Sequence, residues 1–332
     1  MSRILERKKS GTFCHSLTLL SKCLRLLTLS VAIVSTFVDA ASISRIISTG
    51  TPYLIYGTAW KEHETARLVS EAVHAGFRFI DTACQPKHYN EAGVGEGWSL
   101  AARELGLQRS DFFLQTKFTP LPGQDKNRLP YDIRASLEDQ VKQSLAASLR
   151  NLRTDYIDSL VLHSPMDSLE DTLRVWRVFE SFVEEGKVHR LGISNCYDLE
   201  MFEGLIANAR VPPSFLQNRF YRESNFDMEL RHLCHERGIT YQSFWTLTAN
   251  RHALATEQIR NLAHQKNLTP QTFMYAYMMT LGHTPLSGTT SSHHMVEDVA
   301  IMKRIQGGKI ILNDDEIFFL TNMLGIPTTE ED

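Results

Sequence analysis

Gly76-Phe77-Arg78-Phe79-Ile80-Asp81 is the stretch that decides the fold. A glycine suited to a left-handed helix end is followed by a short apolar run, and the run closes on an ionisable group. The same grammar recurs along the chain. Phe112 to Lys117 closes on Lys117, Ile157 to His163 closes on His163, and Tyr89 follows Asp81 in a short loop. Apolar runs beginning near Tyr53, Phe77, Phe112, Ile157, Val188, Phe215, Ile239 and Thr284 give eight strand candidates, with helical patterns between them. Leu68, Val69, Ala72 and Val73 mark the buried stripe of one helix, Leu145, Leu149 and Leu152 that of another. Leu173, Trp176, Phe179 and Val183 mark a third, ending before Gly186, and this aromatic stripe reads as core packing. Strand and helix in strict alternation imply parallel strands with right-handed crossovers, and eight such units close into a barrel. The expectation is a single-domain α/β (β/α)8 TIM barrel over residues 51–326, preceded by an extension at 1–50 and followed by a short tail at 327–332.

In such a barrel the carboxyl ends of all strands meet at one mouth, so Asp81, Tyr89, Lys117 and His163 are expected to share a site. The set suits proton donation to a carbonyl. A tyrosine titrates near about 10 unaided, and a buried lysine whose charge is held by an aspartate can lower that value.

Composition narrows the possibilities. The formal net charge of -3 leaves no basic footprint for nucleic acid. The five cysteines are scattered without paired spacing and read as reduced thiols. His232, Cys234 and His235 lack a second pair to complete a zinc set, so no metal is expected, and Asn313-Asp314-Asp315-Glu316 reads as a helix cap with an acidic first turn. The first fifty residues break the pattern. Basic residues from Arg3 to Arg25 precede an uncharged stretch, Leu26 to Val38, which resembles a targeting leader but falls short of the ~18 apolar residues of a membrane span. A cytoplasmic location is expected if this extension is inert, a secretory or mitochondrial one if it is a leader. In a secreted chain Asn267-Leu268-Thr269 would be a glycosylation candidate.

Taken together, Gly57-Thr58-Ala59-Trp60, Ile80-Asp81-Thr82-Ala83, Tyr89-Asn90-Glu91, Thr116-Lys117, Leu162-His163-Ser164-Pro165, Gly192-Ile193-Ser194-Asn195 and Gln217 resemble the aldo-keto reductases, over about residues 53 to 325. No one of these is diagnostic; their order at successive strand ends is. The resemblance implies hydride transfer from NADPH to an aldehyde or ketone, without a glycine-rich dinucleotide fingerprint. It makes Tyr89 the general acid, Lys117 and Asp81 its tuning pair, and His163 the group that orients the substrate oxygen. It assigns Ser194, Asn195 and Gln217 to the nicotinamide carboxamide and Phe244 to stacking on its ring. The segment Ser287 to Ser292, with Gly288, Thr289 and Thr290, becomes a phosphate cradle at a helix start together with His294, and Glu297 and Asp298 contact adenine.

Three departures stand out. Pro86 occupies the usual tyrosine position, so the loop must be longer; if Asn90 instead fixes the register, His88 takes that place. Trp245 and Thr246 replace a smaller Ser-Pro pair. Gly288 and His294 stand where NADPH-preferring relatives present lysine and arginine, which leaves NADH open. The short tail implies an open pocket with broad carbonyl specificity, and the loop Thr119 to Asp132 is a candidate wall. The expected partner is a small carbonyl substrate, and the expected state a monomer. A barrel that binds the dinucleotide as an accessory subunit with little turnover is the alternative.

Overall fold

The computed structural model describes residues 45–327. The leader expected within residues 1–44 and the end of the tail lie outside them.

Eight parallel strands close a barrel in sequence order. They are β1 Ile55–Gly57, β2 Phe79–Asp81, β3 Phe113–Phe118, β4 Ile157–Leu162, β5 Val188–Ser194, β6 Phe215–Arg219, β7 Thr240–Phe244 and β8 Thr284–Ser287. Each of the eight expected strands is present. The helices that return the chain from one strand to the next are α1 Thr65–Ala75, α2 Glu91–Leu105, α3 Leu137–Leu152, α4 Leu169–Glu184, α5 Leu199–Asn208 and α6 Met228–Arg237. After β7 come α7 Arg251–Leu254, α8 Glu257–Gln265 and α9 Pro270–Thr280; after β8 come α10 Ser292–Gln306 and α11 Asp314–Leu324.

Local sequence explains the boundaries. Gly76 ends α1 at φ 115°, a conformation open to glycine and strained for other residues, and so frees the chain to enter β2. Ser136, Ser168 and Asp198 cap α3, α4 and α5 with side-chain oxygens that accept backbone N–H groups. On α4, Trp176 and Phe179 are buried against the barrel, and the Trp176 indole donates to the Val211 carbonyl. The aromatic stripe is therefore core. The short strands β1 and β2 are buried throughout except at Gly57, and β3 and β4 are buried at every position, as expected of parallel strands covered on both faces. Burying a side chain such as Phe113 contributes roughly 1.5–3 kcal/mol.

The packed body begins before the expected boundary. Residues 45–49 form a helical turn whose Ile46 and Ile47 pack on the barrel core. Among the described residues no helix is long and apolar enough to cross a membrane.

Candidate active site

The carboxyl ends of β2 and β3 bring Asp81 and Lys117 into a buried ion pair, Nζ to Oδ2 2.6 Å. Lys117 also donates to the Thr82 carbonyl at 2.8 Å. The other Asp81 oxygen accepts from Gln115 Nε2 at 2.8 Å and Gln217 Nε2 at 3.0 Å, and both amides also reach Gln242 Oε1. A hydrogen-bonded polar layer thus crosses the barrel floor beneath the mouth. Its groups satisfy one another, so burial holds them in place without orphaned charge. Gln115 and Gln242 were not anticipated as site residues. Their signal was a glutamine interrupting an apolar run at an inward position of β3 and of β7.

Tyr89 joins this pair from the loop after β2. Its ring meets His163 edge to face at 5.9 Å between centroids, and Lys117 Nζ lies 5.3 Å from its centroid. The four residues expected to converge are together. His88, the other candidate for the tyrosine position, stacks on Trp60 at 3.8 Å instead. The helix that follows is fixed by Asn90, whose side chain caps the start of α2 by accepting from Gly93 N at 2.9 Å.

The expected lowering of the Tyr89 pKa is absent in this arrangement. Burial raises the phenol well above its ordinary value, and the Asp81 carboxylate raises it further. The reason is geometric. The ammonium of Lys117 faces the Tyr89 ring, while its hydrogen bonds go to Asp81 and Thr82. Lys117 is itself lowered, by burial first, with Asp81 opposing. Burial, then the Lys117 charge, holds His163 well below the usual histidine value, so it is neutral at pH 7. Thr119 Oγ1 engages its Nδ1 at 2.7 Å, which leaves Nε2 to meet a ligand oxygen.

The residues expected at the nicotinamide end sit at successive strand ends. Ser194 donates to the Gln217 carbonyl at 2.6 Å, and Asn195 donates to the His163 carbonyl at 2.8 Å, tying β5 to β6 and β4. Gln217 is buried and its amide is already committed to Asp81 and Gln242. Phe244 is half-buried at the end of β7.

At the other end, Gly288, Thr290 and His294 are exposed around the start of α10, which Ser291 caps. A Cβ added at Gly288 would meet nothing within 4 Å. The Thr289 carbonyl accepts from the Tyr56 hydroxyl. Glu297 is partly buried and lies 3.5 Å from His293. Asp298, expected at the adenine, has a buried carboxyl that accepts from Ser287 Oγ at 2.7 Å and so braces α10 against β8.

Two more unanticipated residues flank the site. Lys61, directly after the Gly57 to Trp60 motif, is buried and donates to the Gly288 carbonyl at 2.9 Å; burial pushes its pKa down to about 8. Glu91 is buried and forms no salt bridge among the described residues, accepts from Thr116 Oγ1 at 2.5 Å and Asn151 Nδ2 at 2.9 Å, and is raised by burial. It fastens the first turn of α2, two residues beyond Tyr89, to the strand that carries Lys117. From the loop after β3, Pro130 lines a cleft of about 180 Å³ with Tyr89, Glu91 and Asn151, a cleft whose lining does not include Asp81, Lys117 or His163.

Residues 47–306 match the model described as the Aldo/keto reductase family. The chain is similar to a glyoxal reductase of Bacillus subtilis, 28% identical over 244 residues that span 72% of this chain and 78% of the relative. It is also similar to an NAD(P)H-dependent D-xylose reductase of Pachysolen tannophilus, 29% identical over 182 residues covering 48% and 52% of the two chains. Among solved structures, an aldo/keto reductase from Brucella melitensis superposes with a TM-score of 0.66 at 25% identity, over 81% of this chain and 94% of that one.

Proposed function

Because the chain belongs to the aldo/keto reductase family, an oxidoreductase family, we propose that it reduces small aldehydes or ketones with NADPH or NADH and that Tyr89 protonates the carbonyl oxygen. The observation that carries this reading is the meeting of Tyr89, His163 and the Asp81–Lys117 pair at one barrel mouth.

The residues present fit a dinucleotide. Phe244 offers a half-buried ring at the end of β7, Ser194 and Asn195 lie at the end of β5, and the open backbone at Gly288 leads to the capped start of α10, where phosphate oxygens are favoured. When bound, the nicotinamide supplies the hydride. The chain supplies placement and protons. Neutral His163 donates a hydrogen bond from Nε2 to the substrate oxygen, and the Tyr89 hydroxyl approaches the same oxygen from its edge-to-face position. Lys117, held by Asp81, places positive charge beside the phenol, and catalytic hydrogen bonds commonly tighten on substrate binding. Charge developing on the oxygen is then met by two donors in a mouth with a buried polar floor.

A dinucleotide-binding barrel of low turnover is the second reading, supported by the raised Tyr89 phenol and its lack of a hydrogen bond to Lys117. Dinucleotide oxidation in the presence of glyoxal, methylglyoxal and a panel of simple aldehydes separates the two. Turnover with at least one aldehyde is expected; dinucleotide binding without turnover on any of them favours the second.

A further inference from the structure

We propose that Arg219 is the cation that holds the diphosphate bridge of the dinucleotide, an assignment that rests on the cofactor reading above. Arg219 ends β6, two residues past Gln217 and therefore on the same side of the strand, and it pairs in register with Phe244 of β7. Its guanidinium carbon lies 4.1 Å from the ring centroid of Trp245 and 5.0 Å from that of Tyr221. Its backbone N–H donates to the Tyr197 hydroxyl at 3.1 Å, and Tyr197 in turn meets Tyr221 edge to face. The aromatic rings fix the plane of the side chain.

No counter-charge accompanies this order. Among the described residues Arg219 forms no salt bridge, and its Nε is buried without a hydrogen-bond partner. Arginine cannot discard its proton, and an unmet buried donor is costly, so a rigidly held fork of this kind is organised for an anion. Trp245 holds a positive φ of 57°, a strained conformation for a bulky residue, while keeping its ring over the guanidinium.

Position identifies which anion. The nicotinamide residues lie at the ends of β5, β6 and β7, the last being Phe244, and the adenosine-side loop begins at Gly288 after β8, so the phosphates joining them leave over the end of β7, where Trp245 follows Phe244 and meets the Arg219 guanidinium. The Asp81, Tyr89, Lys117 and His163 group lies at β2 to β4, across the mouth. A planar guanidinium matches paired phosphate oxygens. Gly288 and His294 bring no fixed charge to this side, and the Lys61 ammonium is turned to the Gly288 carbonyl, so Arg219 is the guanidinium placed toward the diphosphate.

Arg219→Met keeps a long side chain between the rings and removes the charge; Arg219→Lys keeps charge without the planar fork. Binding of NADPH and of NADH is measured by protein fluorescence, and turnover is also measured with reduced nicotinamide riboside, which has no phosphate. The methionine variant should weaken both dinucleotides by the same factor, roughly 10- to 100-fold. The lysine variant should recover part of the loss, and turnover with the riboside should be unchanged. Unchanged affinity, or a loss confined to NADPH, overturns the assignment. So does unaltered dinucleotide binding with a raised KM for the aldehyde substrate, which would make Arg219 a substrate contact, or a loss of riboside turnover, which would make its role structural. If the unaltered protein binds neither dinucleotide, the cofactor reading itself has failed.

Discussion

Asp298 shows what single side chains add to the pattern. Burial lifts its carboxyl to about 7, with only the Ser287 hydroxyl to oppose the shift. The unfolded chain gives up this proton near an ordinary aspartate value of about 3.9, so between there and about 7 the folded state binds more protons. Stability therefore falls as pH rises through that window, and the penalty is complete above it. Asp298→Asn, which can still accept from Ser287, should raise the thermal midpoint at pH 8 and leave it nearly unchanged at pH 4; equal effects at both would show that the carboxyl is ionised throughout. Asp81, Lys117 and His163 were legible because a polar residue ending a buried run has one place to go. Asp298 and Glu297 were not separable, since neighbouring helical positions differ by about 100° and only the packing of α10 on β8 decides which turns inward. The register of Tyr89 and His88 was open in the sequence, and the aromatic contacts place the Tyr89 ring beside His163 and Lys117 while His88 meets Trp60. The direction of the Tyr89 pKa shift was not legible, because burial of the phenol sets it, with the Asp81 carboxylate adding to the rise, and neither is written in the local sequence.

Among the elements, α2 and the β8 loop do most to shape the site. Gly95 lies where α2 crosses α3, and a Cβ there would collide with the Asn151 carbonyl oxygen. Helix propensity alone favours Gly95→Ala by about 1 kcal/mol, so a net loss of roughly 1–3 kcal/mol on urea unfolding would show that the close approach governs. A stabilised variant would contradict it. The open space at Gly288 allows the reverse experiment. Gly288→Lys should tighten NADPH more than NADH, because only NADPH carries the 2'-phosphate; an equal change in both dissociation constants would place this loop away from the ribose phosphate. Every strand was found from its apolar run, yet β1 and β2 are shorter than theirs. Tyr53, Leu54 and Phe77 are buried but lie ahead of the ladder, with Tyr53 stacked on Phe79 and Phe77 packed against Tyr56. Burial, which composition reports, extends further than backbone pairing, which it does not. The Arg219, Trp245 and Tyr221 stack lay beyond reach for a related reason: it joins two strand ends and a loop, and stacking leaves no periodic trace.

At the scale of the whole molecule, barrel closure turns four distant sequence positions into one mouth. Strand order alone predicts that meeting, and the ring contacts of Tyr89 with His163 and Lys117 are its consequence. In the polar floor, Gln115 of β3 and Gln217 of β6 hold Asp81 directly, and Gln242 of β7 ties the two amides together, so the ion pair with Lys117 is braced before any ligand arrives. Removing the Tyr89 hydroxyl leaves this floor, the ring packing and the dinucleotide contacts intact, and takes away only the acid. The most direct measurement is kcat for Tyr89→Phe at saturating dinucleotide with the best aldehyde substrate of the unaltered protein. A loss of about 10²–10⁴-fold with dinucleotide affinity unchanged is expected of a general acid; a kcat within a few-fold of the unaltered protein would contradict the assignment of catalysis to this mouth.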